Sequence, residues 1–431
     1  MSLRDCIVNG STEIDANGNR VITDDQSLQA RTLFDELEAE YLERMSPGQA
    51  AAQAGRDTFD ALKQIALEKK RKKLLQVQAF KNIDKNLREY KDFRGRTNYG
   101  KAAEALMDQD NFSKYSSITQ RADAIHQTAT AKLYNVLASF RRNLIGEVRN
   151  KAQLKNMVRE VFGRDTGDAS AKEFAQAWKA ASEDLRLQFN RAGGSIPQRQ
   201  NWGMPQVHDQ ISVGKADKQE WIRFISDRLD LEKMVDEGTG LPMSSQRLEL
   251  ALNEVYDTIV TGGYNKVVPG ARSGMGKSVA NRRTDHRFLV FKDADAWIEY
   301  QEKFGNANPF DTMLSHISSM SKEIAQMEIL GPNPTSTVNY IKETISKEAA
   351  LSKDPKIRDK ARSQVKQIEL LYNAVTGKTN APVSGFIANT FAGLRSLLQS
   401  AQLGAATLSA VTDLNFQRLT RSFVGIPQAS T

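Results

Sequence analysis

A chain of 431 residues, 40% hydrophobic and 26% charged, has an ordinary globular mix for about three domains. Its one cysteine, Cys6, excludes an intramolecular disulfide and fits folding in a reducing cytoplasm. MSLRDCIVNGSTEID lacks the apolar core of a secretory signal, and no window is apolar enough for a confident membrane span. The net charge of +8 suits nucleic acid or an anionic membrane surface without naming either.

Residues 1–26 read as irregular, with Asn-Gly turns at Asn9 and Asn17 that suit a small hairpin. Eleven prolines are few for this length, so long helices are permitted. Residues 27–101 predict two of them. Ser27 is a candidate N-cap for the first, and Ser46-Pro47 restarts the pattern for the second. In the second, Phe59, Leu62, Ile65, Leu67, Leu74, Leu75, Val77, Phe80, Ile83 and Leu87 recur mostly at steps of three or four, the period of an amphipathic helix. Charge is unevenly spread: residues 1–55 hold 4 Lys/Arg against 10 Asp/Glu, whereas residues 56–101 hold 14 against 6.

FRGRTNYGK at 93–101 reads as a loop. Residues 102–194 predict a helical domain, with a capped turn at Gly163–Ser170 and a stop at Gly193-Gly194. Residues 195–334 form a region with two loops, at 195–215 and around VVPGARSGMGKSVANRRTD. Here WIRFISDRLDLEKMV, SSQRLELALNEVYDTIVTG, DADAWIEYQEKFG and NPFDTMLSHISSMSKEIAQMEIL read as helices, and RFLVF is the best strand candidate. Residues 335–431 predict C-terminal helices at Ser336–Thr376, broken at Pro355, and at Val383–Phe423. No internal repeat or low-complexity tract interrupts the chain. The expected fold is mainly α, an elongated multi-helix protein with at most one or two short β elements.

Few motifs carry chemistry. ARSGMGKS at Ala271–Ser278 fits a loose phosphate-binding loop, but Pro269-Gly270 interrupts the preceding apolar run and VANRRTDHR starts a helix poorly, so it reads as a flexible basic loop. His126, His208, His286 and His316 lie in no short metal-ligand spacing. His208 and Asp209 are neighbours in an extended stretch, where adjacent side chains point apart, so no general-base pair is expected. His316 falls near the apolar face of a helix and suits a structural role. Asp293 and Asp295 at a strand-to-helix junction are expected to cap the helix and complement its dipole. The expectation is therefore a protein with no catalytic residue, no metal and no cofactor.

Two features invite partners. Lys69, Lys70, Arg71, Lys72 and Lys73 run consecutively in mid-helix and cannot all face a core; Lys81, Lys85 and Arg88 extend the positive field. Contact with DNA or anionic lipid, docking on an acidic protein surface, and a plain solvated face all remain open for them. Phe80, Tyr90, Phe93 and Tyr99 lie close enough to stack on bases, although helical spacing favours core packing for most. In the C-terminal helix, Ser384, Ala388, Ala392, Ser396, Ser400 and Gly404 fall at strict four-residue spacing. Such a ribbon of small side chains lets two backbones approach closely, inside a bundle, at an oligomer seam or on conditional insertion into a membrane.

NWGMPQVHDQ at Asn201–Gln210, RFLVFKDADAWIEYQEKFG at Arg287–Gly305 and HISSMSKEIAQMEILGPNP at His316–Pro334 occur in an order that resembles the large internal, or ejection, proteins of tailed bacteriophages. The resemblance runs from about Phe174 to Phe416 and rests on motif order. It implies a non-enzymatic virion component, synthesised in the host cytoplasm, packed in the head interior or at the portal and tail, and delivered with the genome into the host envelope. The implied partners are other copies of the chain, the portal or other ejection proteins, phage DNA and, transiently, the host membrane. Two other readings stay open: a cytoplasmic phage DNA-binding protein, and the non-catalytic part of a larger envelope-degrading virion enzyme.

Overall fold

The computed structural model describes residues 24–142, 151–196, 198, 203–234, 245–261, 289–305, 309–351 and 355–376. Among them the protein is mainly α, with thirteen helices and no strand. Two of these form a hairpin, α1 (Asp24–Leu42) and the 43-residue α2 (Pro47–Glu89). Pro47 sits in the first turn of α2, where its missing N–H costs nothing because that group has no intrahelical partner. Ser27, expected as an N-cap, instead lies inside α1 and is buried, the helix having started at Asp24. Leu33, Phe34 and Leu37 of α1 pack on Ala54 of α2 in a small core of their own.

The main core gathers the other helices: α3 (Tyr99–Met107), α4 (Ile118–Arg142), α5 (Lys151–Val161), α6 (Ala169–Arg191), α11 (Pro309–Leu330), α12 (Pro334–Ala350) and α13 (Pro355–Val375). Helix α11 is its axis. It lies against α4, α6 and α2, and it buries most of its circumference, including Met313, Ile317, Met320, Ile324 and Met327. Phe174 of α6 meets Phe310 edge-on at 5.5 Å, and the fully buried Trp178 meets His316 the same way at 6.0 Å. His316 is thus buried beside aromatic rings, in the structural setting its sequence position suggests.

Smaller helices complete this core: α7 (Gln210–Lys215), α8 (Lys218–Ser226), α9 (Ser245–Val260) and α10 (Ala294–Phe304). They surround Trp221, Tyr300, Phe291 and Phe304. Two expectations fail here for one reason. WIRFISDRLDLEKMV is not one helix, since α8 ends at Ser226; and of RFLVF, Arg287 and Phe288 lie outside the described residues, while Leu289–Phe291 builds only an isolated antiparallel bridge, Leu229 to Phe291. The two segments pair with each other: Asp230 donates its N–H to Val290 O at 2.7 Å, and Lys292 to Arg228 O at 2.9 Å. That long-range pairing, with Leu229 and Phe291 buried, overrides the local helical pattern.

Helix ends follow their sequence signals. Asp168 accepts from Ala171 N and Asp293 from Ala296 N, each satisfying a first-turn donor. Asn333 caps α12 by accepting from Ser336 N. The loop after α2 is shorter than expected, because Asn98 caps α3 and the helix begins at Tyr99. Gly331, at φ +84°, turns the chain between α11 and α12, and a Cβ there would meet Ala79 at 2.9 Å. The Asn-Gly hairpin, the phosphate-loop-like ARSGMGKS and the ribbon from Ser384 to Gly404 lie outside the described residues.

Candidate anionic-surface interface on a long helix

Helix α2 is the element that carries the sequence's strongest charge signal, and its surroundings sort that charge. Only Ala50, Ala54, Thr58, Ala79, Ile83 and Leu87 are buried along it. The body of the protein holds one side of its C-terminal half, where Gln76 is the clasp. The Gln76 amide donates to Leu330 O at 3.2 Å and Thr337 Oγ1 at 2.7 Å, and its oxygen accepts from Asn333 N at 2.8 Å. Phe80 packs against Tyr340 with tilted rings, their centroids 5.0 Å apart.

The five consecutive cations separate into two groups. Arg71 and Lys72 are half-buried, while Lys69, Lys70 and Lys73 are exposed. Arg71 is taken up internally. Its guanidinium donates to Asn190 O and Gly194 O, both at 2.6 Å, and pairs with Glu68 at 2.9 Å. It therefore satisfies carbonyls at the C-terminal end of α6, where a cation is also favoured by the helix dipole. From the other side Arg186 pairs with Glu183 and donates to Ile196 O at 2.8 Å. Gly193, at φ +121°, makes the turn that these arginines hold. Burial alone would raise the Glu68 carboxyl, but hydrogen bonds from Arg71 and Ser195 outweigh it and hold Glu68 below its ordinary value. Lys72 moves the other way, its ammonium made less basic by burial. Around Arg71 lies an open groove of about 470 Å³, lined by Glu68, Leu187, Asn190, Arg191, Gly194, Ser195 and Ile196.

Lys81, Lys85 and Arg88 are exposed, with Arg88 bonded to Asp84 at 2.9 Å along the same helix. Six of the eight cations singled out from sequence thus face outward: Lys69, Lys70, Lys73, Lys81, Lys85 and Arg88. Of the four nearby aromatics, Tyr90 is buried, Phe80 and Tyr99 are half-buried, and only Phe93 is open, at 69% exposure with Arg94 over its ring.

Sequence reasoning missed a second pattern on α2. Phe59, Leu67, Leu74 and Val77, read as part of the apolar core face, are exposed at 64%, 52%, 61% and 43%. They lie on the outward side of the helix, opposite Ala54, Ala79 and Ile83, and alternate there with the exposed Arg56, Lys63, Lys70, Lys81, Lys85 and Arg88. At 100° per residue these positions form one stripe along the helix. The signal was present as two interleaved sets of three- and four-residue steps, but the sequence does not say which set meets the body.

His208 and Asp209, neighbours in sequence, are engaged by different partners. His208 Nδ1 lies 2.7 Å from the Tyr300 hydroxyl, and that hydroxyl accepts from the Trp221 indole N–H at 3.2 Å. Burial pushes the Tyr300 hydroxyl far above its ordinary value. Asp209 is the N-cap of α7, accepting from Ser212 N. Asp295 holds Arg159 at 2.6 Å and Arg164 at 3.1 Å, tying α10 to α5. No helix among the described residues is long and apolar enough to cross a membrane. No protein-family model, no curated protein and no solved structure matches the chain.

Proposed function

We propose that this chain is a non-enzymatic component of a tailed-phage particle, an internal or ejection protein that associates with the packaged DNA or the portal and leaves with the genome. The observation that carries the DNA contact is the set of open cations along one rigid helix. Lys69, Lys73, Lys85 and Arg88 are exposed on an element clamped to the body through Gln76 and Arg71. Cations fixed on such a rod neutralise phosphates with no requirement for base sequence, which suits a protein that must meet a whole genome. The motif order between Asn201 and Pro334 supplies the virion setting.

Mass spectrometry of purified particles of the encoding phage tests the setting. The chain should be present in every preparation at a fixed ratio to the portal protein. Its absence from particles, with abundant chain in the infected cytoplasm, would replace this reading with that of a cytoplasmic DNA-binding protein.

A further inference from the structure

The stripe on α2 has the wrong composition for a purely phosphate partner. Leu67, Leu74 and Val77 are exposed between Lys70 and Lys81, and an apolar side chain gains nothing from a phosphate. Its steps of three and four are those of one side of a two-helix seam. The surface that fits it is a helix with the same spacing, leucines of its own and an acidic field.

This chain carries such a helix. The outward face of α1 presents Leu28, Asp35 and Leu42 at strict seven-residue spacing, all exposed, the leucines at 66% and 47%. The helix holds six acidic residues against one basic, Arg31. The lengths agree: at 1.5 Å per residue α1 is about 28 Å long, and Lys63 to Lys81 spans about 27 Å.

One copy cannot join its own two stripes. Leu33, Phe34 and Leu37 already hold the inner face of α1 against Ala54 on the inner face of α2. Leu28, Asp35 and Leu42 lie on the opposite side of α1, as Leu67, Leu74 and Val77 lie on the opposite side of α2. Both stripes are turned away from the hairpin seam, so a contact between them needs a second molecule.

We infer that the outer face of α2 docks the outer face of α1 from a second copy of the chain. The contact uses two different patches, so every copy keeps one free donor and one free acceptor face. It is therefore head-to-tail and propagates, closing as a ring or continuing as a filament. Leucines fill the seam, and Lys70 and Lys81 face the acids of α1. Lys69, Lys73, Lys85 and Arg88 lie beside or beyond this footprint, so an assembly would line up the cations assigned above to DNA. The inference rests on that reading only in taking α2 as the interaction helix.

The test is a charge swap in the full chain, read by sedimentation velocity at low and high salt. Wild type should assemble at low salt and fall to monomer as salt rises. Lys70→Glu/Lys81→Glu should be monomeric, and so should Asp35→Lys/Glu43→Lys, Glu43 being the exposed acid in the turn that follows α1. Mixing the two variants should restore assembly, because each then meets a partner of opposite sign. All four side chains are exposed, so helicity and melting should match wild type and exclude unfolding as the cause. Wild-type monomer at every salt, assemblies indifferent to the variants, or no recovery on mixing would each overturn the inference. Anionic vesicles bound by a protein that never self-associates would assign the stripe to lipid instead. A monomer that still binds DNA removes this contact and leaves the proposed function standing; an assembling protein with no DNA affinity does the reverse.

Discussion

Helices α2 and α11 cross in the fold yet belong to different kinds of surface. The 22 residues of α11 bury thirteen side chains, from Pro309 to Leu330, whereas the 43 residues of α2 bury six. The first is a core axis, open along a polar stripe at Asp311, Ser315, Ser319 and Lys322. The second is long because its N-terminal half pairs with α1 while its C-terminal half is clasped by the body, and its far side is left outward along the whole length. What separates the two helices is thus how many neighbours they have, and the outward side of α2 is where a partner finds room.

The comparison predicts a steep gradient of mutational cost. Trp178 sits between α6 and α11 with its indole N–H on Gly203 O, so Trp178→Ala should cost the most, about 3–5 kcal/mol by chemical denaturation. A change under 1 kcal/mol would mean that α11 is not the core axis. Arg71→Ala comes next. It leaves Asn190 O and Gly194 O without their charged donor, for about 1.5–3 kcal/mol. Its neighbour Lys70→Ala should stay within about 0.5 kcal/mol, being an exposed surface change. Equal effects at the two positions would erase the distinction between inward and outward cations.

Acid should act on the same staple. Glu68 and Glu183 both lie below their ordinary value of 4.5, in each case with burial opposing and arginine hydrogen bonds prevailing. A carboxylate depressed in the folded state contributes stability that is full above its unfolded value and is lost as pH falls through the folded one. Melting temperature should therefore hold steady down to about pH 5 and drop below about pH 4.5. In Glu68→Gln that acid-induced drop should be smaller, and an unchanged drop would remove Glu68 as a contributor.

Much of this arrangement was legible in the sequence where the signal is local. Pro47 and Pro355 open helices, Gly193 ends one, and Asp168 and Asp293 cap two, because each acts within a turn of its own position. What failed depends on distant partners. Leu229 left the helical pattern to meet Phe291, and Arg71 was indistinguishable from Lys70 until Gly194 stood beside it, 123 positions along the chain. The exposed Leu67 and Leu74 looked like core for the same reason: periodicity marks faces, and only the fold says which face is covered.

The central claim is that the outward cations of α2 are a polyanion contact, and the most direct measurement is duplex DNA affinity against salt for the full chain. Each lysine or arginine that meets a phosphate contributes about 0.9 to the slope of log affinity on log salt. Wild type should bind with a slope of several such contacts and without sequence preference. Replacing Lys69, Lys73, Lys85 and Arg88 with glutamate should weaken binding and flatten the slope, with the melting temperature unchanged. Wild-type affinity and slope in that variant would contradict the account.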